Sequence, residues 1–180
     1  MRRAVFLDRD GVINRAVVRN GKPYPPATLT DVEILPGVLE ALVALHDAGF
    51  ILIVVTNQPD VARGITARAV VEEINHYLAN CLPIDEFCTC YHDSSDGCAC
   101  RKPLPGALLA AAQQYGIDLG ESYMVGDRWR DTEAGERAGC KTIFIDYCYD
   151  EKPPESFTFS AKSLKEASTI ILGELLYDKH

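Results

Sequence analysis

Two aspartates stand two residues apart in Phe6-Leu7-Asp8-Arg9-Asp10-Gly11, directly after the apolar run Val5-Phe6-Leu7. Alternate residues of an extended segment share a face, so both carboxylates can be aimed at one reacting atom. Gly11 then frees the backbone to turn away. An acidic turn after a strand has the same local form, so the hexapeptide gains meaning only beside the rest of the chain. Three more polar groups lie further along: Thr56-Asn57-Gln58, Arg101-Lys102-Pro103 and Gly126-Asp127-Arg128-Trp129-Arg130-Asp131. Singly they read as a helix cap, a solvated charge pair and a turn. Jointly they hold what phosphoryl transfer from a monoester needs. A carboxylate nucleophile can pass through an acyl phosphate, and a second carboxyl can protonate the leaving oxygen and later deprotonate water. Further carboxylates can hold a hard cation, and a lysine and a hydroxyl can stabilise the transferring oxygens.

A different chemistry is written in the cysteines. Cys90-Tyr91-His92 is followed after five residues by Cys98-Ala99-Cys100, directly before Arg101 and Lys102. Three thiolates and one imidazole are a tetrahedral set for structural Zn²⁺, with no position left open for catalysis. Cys88, also two residues from Cys90, is an alternative ligand, and a set of unrelated cysteines is the plainer reading. A loop of this composition cannot hold its shape by burying apolar surface. Closed on a metal, it would fix the entry to the next helix and with it Arg101 and Lys102. Cys81, Cys140 and Cys148 read as packing residues.

Alternating elements must position these groups. Apolar runs at 4–7, 51–56, 87–91, 123–125 and 142–146, with a weaker one at 157–159, read as strands. Between them lie helical stripes. Val38, Leu39, Leu42, Val43 and Leu45 follow Pro36 and precede Gly49, the expected start and stop signals. Val70, Val71, Ile74, Tyr77 and Leu78 form a second stripe, with Thr66 as its expected N-cap. Helices are also expected at 107–115 before Gly116, at 131–138 before Gly139, and from the capping box Ser163-Leu164-Lys165-Glu166 to about residue 176. Such alternation predicts an α/β fold, a doubly wound Rossmann-like parallel sheet covered on both faces, in a single domain over 1–180. The four polar groups then fall at carboxyl ends of strands, where open α/β sheets bind ligands. Residues 14–36 and 93–105 read as loops without regular structure, and loops this long are usually functional. Residues 147–160 read only as a surface crossing to the last helix.

Composition bounds the setting. The 180 residues are 47% hydrophobic and 24% charged, and 18 Lys and Arg against 26 Asp and Glu give a formal charge of -8. This balance argues against a nucleic-acid or anionic membrane surface, while allowing a local positive pocket for a small anion. The apolar run behind Arg2 and Arg3 is too short for a signal peptide. A cytoplasmic location is therefore expected, with the seven cysteines reduced; the chain is also expected to be a monomer, on which composition has no bearing.

Asp8-Arg9-Asp10-Gly11, Thr56-Asn57, Lys102 and Gly126-Asp127 resemble, in order, the four motifs of the haloacid dehalogenase superfamily. Within it the likeness is to small phosphatases without a cap domain that carry a Cys-x-His and Cys-x-Cys zinc loop and act on heptose bisphosphate or histidinol phosphate. The resemblance implies that Asp8 is the nucleophile and Asp10 the general acid/base. It implies Mg²⁺ held by Asp8, the backbone carbonyl of Asp10 and Asp127, and Zn²⁺ held by Cys90, His92, Cys98 and Cys100. Thr56 and Lys102 would stabilise the phosphoryl group. Asn57, Gln58, Arg63, Arg101 and Arg128 would contact substrate, with Arg128 where the heptose enzymes have lysine. Asp131 would either support the metal through water or cap its helix.

The segments Ala62-Arg63-Gly64 and Lys102-Pro103-Leu104-Pro105-Gly106 are similar to those of the heptose enzymes and point to a phosphorylated sugar. Pro59-Asp60 and the longer first loop with Lys22-Pro23-Tyr24-Pro25-Pro26 depart from them at substrate-facing places. The alternatives are a histidinol-phosphate phosphatase, a nucleic-acid 3′-phosphatase, which the acidic balance disfavours, and an inactive zinc-stabilised binding module.

Overall fold

The computed structural model describes residues 1–177. In chain order these form β1 (Arg3–Leu7), β2 (Val17–Arg19), β3 (Lys22–Tyr24), α1 (Val38–Asp47), β4 (Phe50–Asn57), α2 (Arg68–Cys81), β5 (Glu86–Cys90), α3 (Gly106–Tyr115), β6 (Tyr123–Gly126), α4 (Trp129–Ala138), β7 (Lys141–Ile145), β8 (Phe159–Ala161) and α5 (Leu164–Tyr177). Six strands make one sheet in the order β5-β4-β1-β6-β7-β8, and every pairing in it is parallel.

The side-chain period of two explains how this sheet is covered. Val5, Leu7, Leu52, Val54 and Val125 point to one face and pack with Leu42 and Leu45 of α1, Ile74 and Leu78 of α2, and Ile171 of α5. Ala4, Phe6, Ile51, Ile53 and Met124 point to the other, against Leu108 and Ala111 of α3 and Ala134 of α4. Strands buried on both faces must be apolar at every position, which is why β1 and β4 read as unbroken hydrophobic runs. The expected doubly wound α/β fold is present.

From β1 the chain winds outward through β4 to β5, then returns to the other side of β1 for β6, β7 and β8. The carboxyl end of β1 is therefore the switch point of the sheet, flanked by the ends of β4 and β6. Connections leave that edge in opposite directions there, which opens a crevice. The motifs after β1, β4 and β6 all empty into it.

Four expectations need correction. The 14–36 segment is not irregular throughout: β2 and β3 pair as an antiparallel hairpin, and Leu29–Asp31 is a turn of 3₁₀ helix. The α2 N-cap is Ala67, with no side-chain cap, rather than Thr66. The last strand lies at Phe159–Ala161 instead of 157–159, because its register is set by pairing Ile143 with Phe159 on β7. Fourth, Cys81 and Cys148 are exposed, and only Cys140 of the three expected packing cysteines is buried. Among the described residues, no insertion larger than the β2–β3 hairpin stands over the site, and no helix is long and apolar enough to cross a membrane.

Candidate active site

Asp8 follows β1 with its backbone N–H still bonded to the Val125 carbonyl at 3.0 Å, so the sheet itself fixes its place. Beyond Asp10 the chain turns tightly: the N–H groups of Ile13 and Asn14 both donate to the Arg9 carbonyl, at 2.9 and 3.2 Å. Gly11 adopts φ of +92°, and a Cβ there would sit 1.9 Å from Asp127 Oδ2. Only glycine combines that backbone with so close an approach. Gly126 has a parallel role, since a Cβ there would lie 2.1 Å from Cβ of Asp131.

Lys102 is the centre of charge. It is buried, and its Nζ donates to Asp8 Oδ1 at 2.8 Å and to the Val55 carbonyl at 2.6 Å, and pairs with Asp131 Oδ1 at 2.7 Å. Burial alone would cost an unpaired ammonium several kcal/mol and pull its pKa down. Asp131 and Asp8 more than reverse that effect and hold Lys102 above its usual value. Asn57 fixes the lysine's backbone: its Nδ2 donates to the Lys102 carbonyl at 3.0 Å, and its Oδ1 accepts from the Lys102 N–H at 3.1 Å.

Asp8, Asp127 and Asp131 are all buried, and one carboxylate oxygen from each lies within 4.8 Å of the others. Such crowding penalises the ionised forms. Burial first, then Asp131, push Asp8 up to about 6 against the pull of Lys102. Burial, Asp8 and Asp131 raise Asp127 well above the ordinary carboxylate range. Asp127 Oδ1 is buried with no hydrogen-bond partner. A buried acceptor without a donor, beside two further carboxylates, fits a hard divalent cation. Asp131 also caps α4, its Oδ2 accepting from the Arg128 N–H at 3.0 Å. It thus joins the carboxylate cluster, the lysine and the cap.

Asp10 stands apart from that cluster. Its carboxylate accepts from Nε and Nη2 of Arg9, from Asn14 Nδ2 at 3.0 Å and from Gln58 Nε2 at 2.9 Å. Arg9 is fully buried and is itself held by Asn75 Oδ1 at 2.9 Å. These donors orient the second carboxylate without involving the first.

A cavity of about 210 Å³ opens above Asp8 and Asp10. Asn57, Arg63, Arg101 and Arg128 line it as expected for substrate contacts, and the hairpin adds Lys22 and Tyr24. Gln58 does not line it; its amide serves Asp10 and Thr56 Oγ1 instead. Thr56 is buried just beneath. Two of the arginines are already ion-paired, Arg63 with Asp93 at 2.7–3.0 Å and Arg128 with Glu151 at 2.5–3.1 Å, while Arg101 donates to the His92 carbonyl at 3.3 Å.

The segment after β7, which reads in the sequence as a mere crossing, takes part in the site. Tyr149 Oη donates to Asp127 Oδ2 at 2.8 Å, Tyr147 Oη donates to the Gly11 carbonyl at 3.0 Å, and Glu151 holds Arg128. The signal in the sequence is a pair of tyrosines two residues apart, just past the end of a strand on the motif-bearing edge. Arg130 is also on the cavity wall, although within the fourth polar group the sequence assigns it no role.

The second cluster lies at the end of β5. Cys90 Sγ is 3.7 Å from Cys98 Sγ, 3.2 Å from Cys100 Sγ and 3.6 Å from His92 Nδ1. A tetrahedron with ~2.3 Å zinc–sulfur bonds has edges near ~3.8 Å, so the four atoms are already arranged for such an ion. Burial pushes the Cys90 thiol up to about 12, so its thiolate needs a cation. Cys88 lies outside the group, and His92 is the fourth member.

Known proteins resemble this chain in sequence and fold. The D-glycero-beta-D-manno-heptose-1,7-bisphosphate 7-phosphatase of Bordetella bronchiseptica is 36% identical over 144 residues, covering 76% of this chain and 76% of the relative. The enzyme of the same name from Helicobacter pylori strain 26695 is 33% identical over 175 residues, 94% of this chain and 97% of its own. The crystal structure of D,D-heptose 1,7-bisphosphate phosphatase from B. bronchiseptica, complexed with magnesium and phosphate, matches with a TM-score of 0.82 at 30% identity, over 96% of this chain and 99% of that one. The model of the haloacid dehalogenase-like hydrolases matches residues 3–139, and the chain belongs to that family.

Proposed function

We propose that this chain is a magnesium-dependent phosphatase of a phosphorylated sugar, most simply a heptose 1,7-bisphosphate, working through an aspartyl-phosphate. The observation that carries the reading is the buried Asp8, whose Oδ1 is held by Lys102 at 2.8 Å while Oδ2 has no protein donor among the described residues. Asp8 Oδ2 attacks phosphorus and forms a P–O bond as the sugar oxygen departs, taking a proton from Asp10. Water then attacks the same phosphorus, Asp10 receives its proton, and the bond to Asp8 breaks. Lys102, on the Asp8 oxygen throughout, balances charge on the transferring group. Asp8, Asp127 and Asp131, with the backbone of Asp10, would hold Mg²⁺, which supplies the positive charge that lets a carboxylate approach a phosphate dianion.

The cavity wall supports a substrate with more than one anionic group. Lys22, Arg101 and Arg130 face it with no ion-pair partner among the described residues. Burial first, then Arg128 and Arg101, hold the Arg130 guanidinium below its usual value, a repulsion that a second phosphate would relieve. The named relatives support the sugar. A structural zinc in the thiol cluster would fix the loop that carries Arg101 and Lys102. Thiols of that kind persist where cysteines stay reduced, which suits the cytoplasm, and one chain supplies every residue of the site, so a single-domain monomer suffices.

The test is phosphate release with Mg²⁺ from heptose 1,7-bisphosphate, sugar monophosphates, histidinol phosphate and 3′-phosphorylated oligonucleotides. The bisphosphate should give the highest kcat/KM. A higher value on the oligonucleotide or on histidinol phosphate would replace this reading.

A further inference from the structure

Residues 147–152 lie outside the region matched by the family model, which ends at residue 139, yet they touch the candidate site at several points. Tyr147 and Tyr149 stack, with ring centroids 5.5 Å apart. One hydroxyl reaches the Gly11 carbonyl and the other reaches Asp127 Oδ2. The Asp150 N–H donates to the Gly21 carbonyl at 2.8 Å, tying the segment to the β2–β3 hairpin. Glu151 grips Arg128, and Lys152 lies 3.7 Å from the Trp129 ring centroid, tying it to α4. The segment is a strap anchored to the hairpin and to α4, with one tyrosine bonded to the carboxylate cluster and the other to the Gly11 backbone.

Asp127 is confined from two sides. The Cα of Gly11 faces Oδ2 so closely that no Cβ would fit, and the Tyr149 hydroxyl donates to that same oxygen. The other oxygen, Oδ1, is buried and has no donor. A hydrogen bond to one carboxylate oxygen fixes which oxygen is presented to a metal, and outer partners of this kind set metal affinity.

We infer that Tyr149 is a positioning residue: it locks the Asp127 carboxylate so that Oδ1 is presented to the divalent cation. This rests on the proposal above that Asp127 is a cation ligand. Nothing in the matched region supplies this hydroxyl, so the strap is a part of the metal site that the family motifs do not contain.

The test is calorimetric titration of Mg²⁺ into the full chain, wild type and Tyr149→Phe, with thermal unfolding in chelator-treated buffer run alongside. Phenylalanine keeps the ring and its stacking and removes only the donor. Tyr149→Phe should weaken Mg²⁺ binding by about tenfold while the magnesium-free melting temperature stays within a degree or two. Tyr147→Phe, which loses the bond to Gly11 instead, should bind Mg²⁺ within about twofold of wild type. Equal Mg²⁺ affinity in wild type and Tyr149→Phe would overturn the positioning role while leaving the cation site standing. So would a lowered melting temperature with unchanged affinity, which is the signature of packing alone. Failure of the wild type to bind Mg²⁺ would overturn both the inference and the reading beneath it.

Discussion

Asp8, Asp127 and Asp131 reach their cluster from the ends of two paired strands and the first turn of a helix, whereas Cys90, His92, Cys98 and Cys100 come from one strand end and the loop after it. The carboxylates are buried in a scaffold that exists for other reasons: β1 and β6 pair through Val5, Phe6 and Leu7, and both faces of the sheet are covered. That scaffold forces like charges together and raises the pKa values of Asp8 and Asp127, so the site is preorganised at a cost in stability. The thiol group has little packing of its own. Cys98 and Cys100 are only half-buried, and among residues 93–105 the only regular structure is the 3₁₀ turn Ser94–Asp96. In the first region the fold holds the candidate metal ligands in place; in the second a metal would hold the fold. The two meet at Arg101 and Lys102, where the loop ends and the lysine enters the carboxylate cluster.

This contrast can be broken, most sharply at Asp8. Asp8→Asn should lower kcat/KM on the order of 10⁴-fold or more, since no other group can form the covalent bond. Because it removes one of three crowded carboxylates, it should not lower the melting temperature of the metal-free protein. A clear loss of stability would show that the fold depends on this charge. The next largest effect is at Asp10. Asp10→Asn should cost about 10²- to 10⁴-fold on a sugar phosphate, and far less on an aryl phosphate whose leaving group needs no proton, as paired steady-state assays would show.

Cys98→Ser tests the other region. It should abolish stoichiometric zinc by elemental analysis, lower the melting temperature, and reduce kcat/KM about 10- to 100-fold through misplacement of Arg101 and Lys102. Unaltered activity after complete zinc loss would mean that the loop holds itself. The mildest expected effect is one of pH. Without a cation the folded chain holds the Asp8 proton with a pKa of about 6, against 3.8 for a free carboxylate. That contribution to stability is full below about pH 4 and is lost as pH rises through about 6. Mg²⁺ binds the ionised form, so it should raise the melting temperature by a few degrees more at about pH 7.5 than at about pH 5. The reverse order would contradict the raised pKa values.

Much of the fold and reaction centre is legible in the sequence because the signals are local. The unbroken apolar runs of β1 and β4, Gly116 and Gly139 at helix ends, and carboxylates placed at i and i+2 need no distant partner to be recognised. The Cys-x-His and Cys-x-Cys pairs are equally local, but spacing alone leaves Cys88 as an alternative to His92, and the structure makes that choice by keeping Cys88 outside the group. Segments whose structure depends on distant partners are less legible. The β2–β3 hairpin is short and mostly exposed, so it has little hydrophobic pattern. The place of β8 is set by pairing with β7 rather than by its own apolar residues.

The sequence alone determined the alternation of the main-sheet strands with the helices, the two carboxylates of the first motif and the cysteine-rich segment that gathers at one point, because periodicity, glycine chemistry and residue spacing act over a few residues. Tertiary structure decided what each polar group is bonded to. It turned Gln58 inward to hold Asp10, gave Asp131 the roles of cap and lysine partner together, and brought Tyr149 across 22 residues of chain to Asp127. The reason is physical: a buried polar atom must find its partner in space, and only the sheet's switch point brought these atoms within reach of one another.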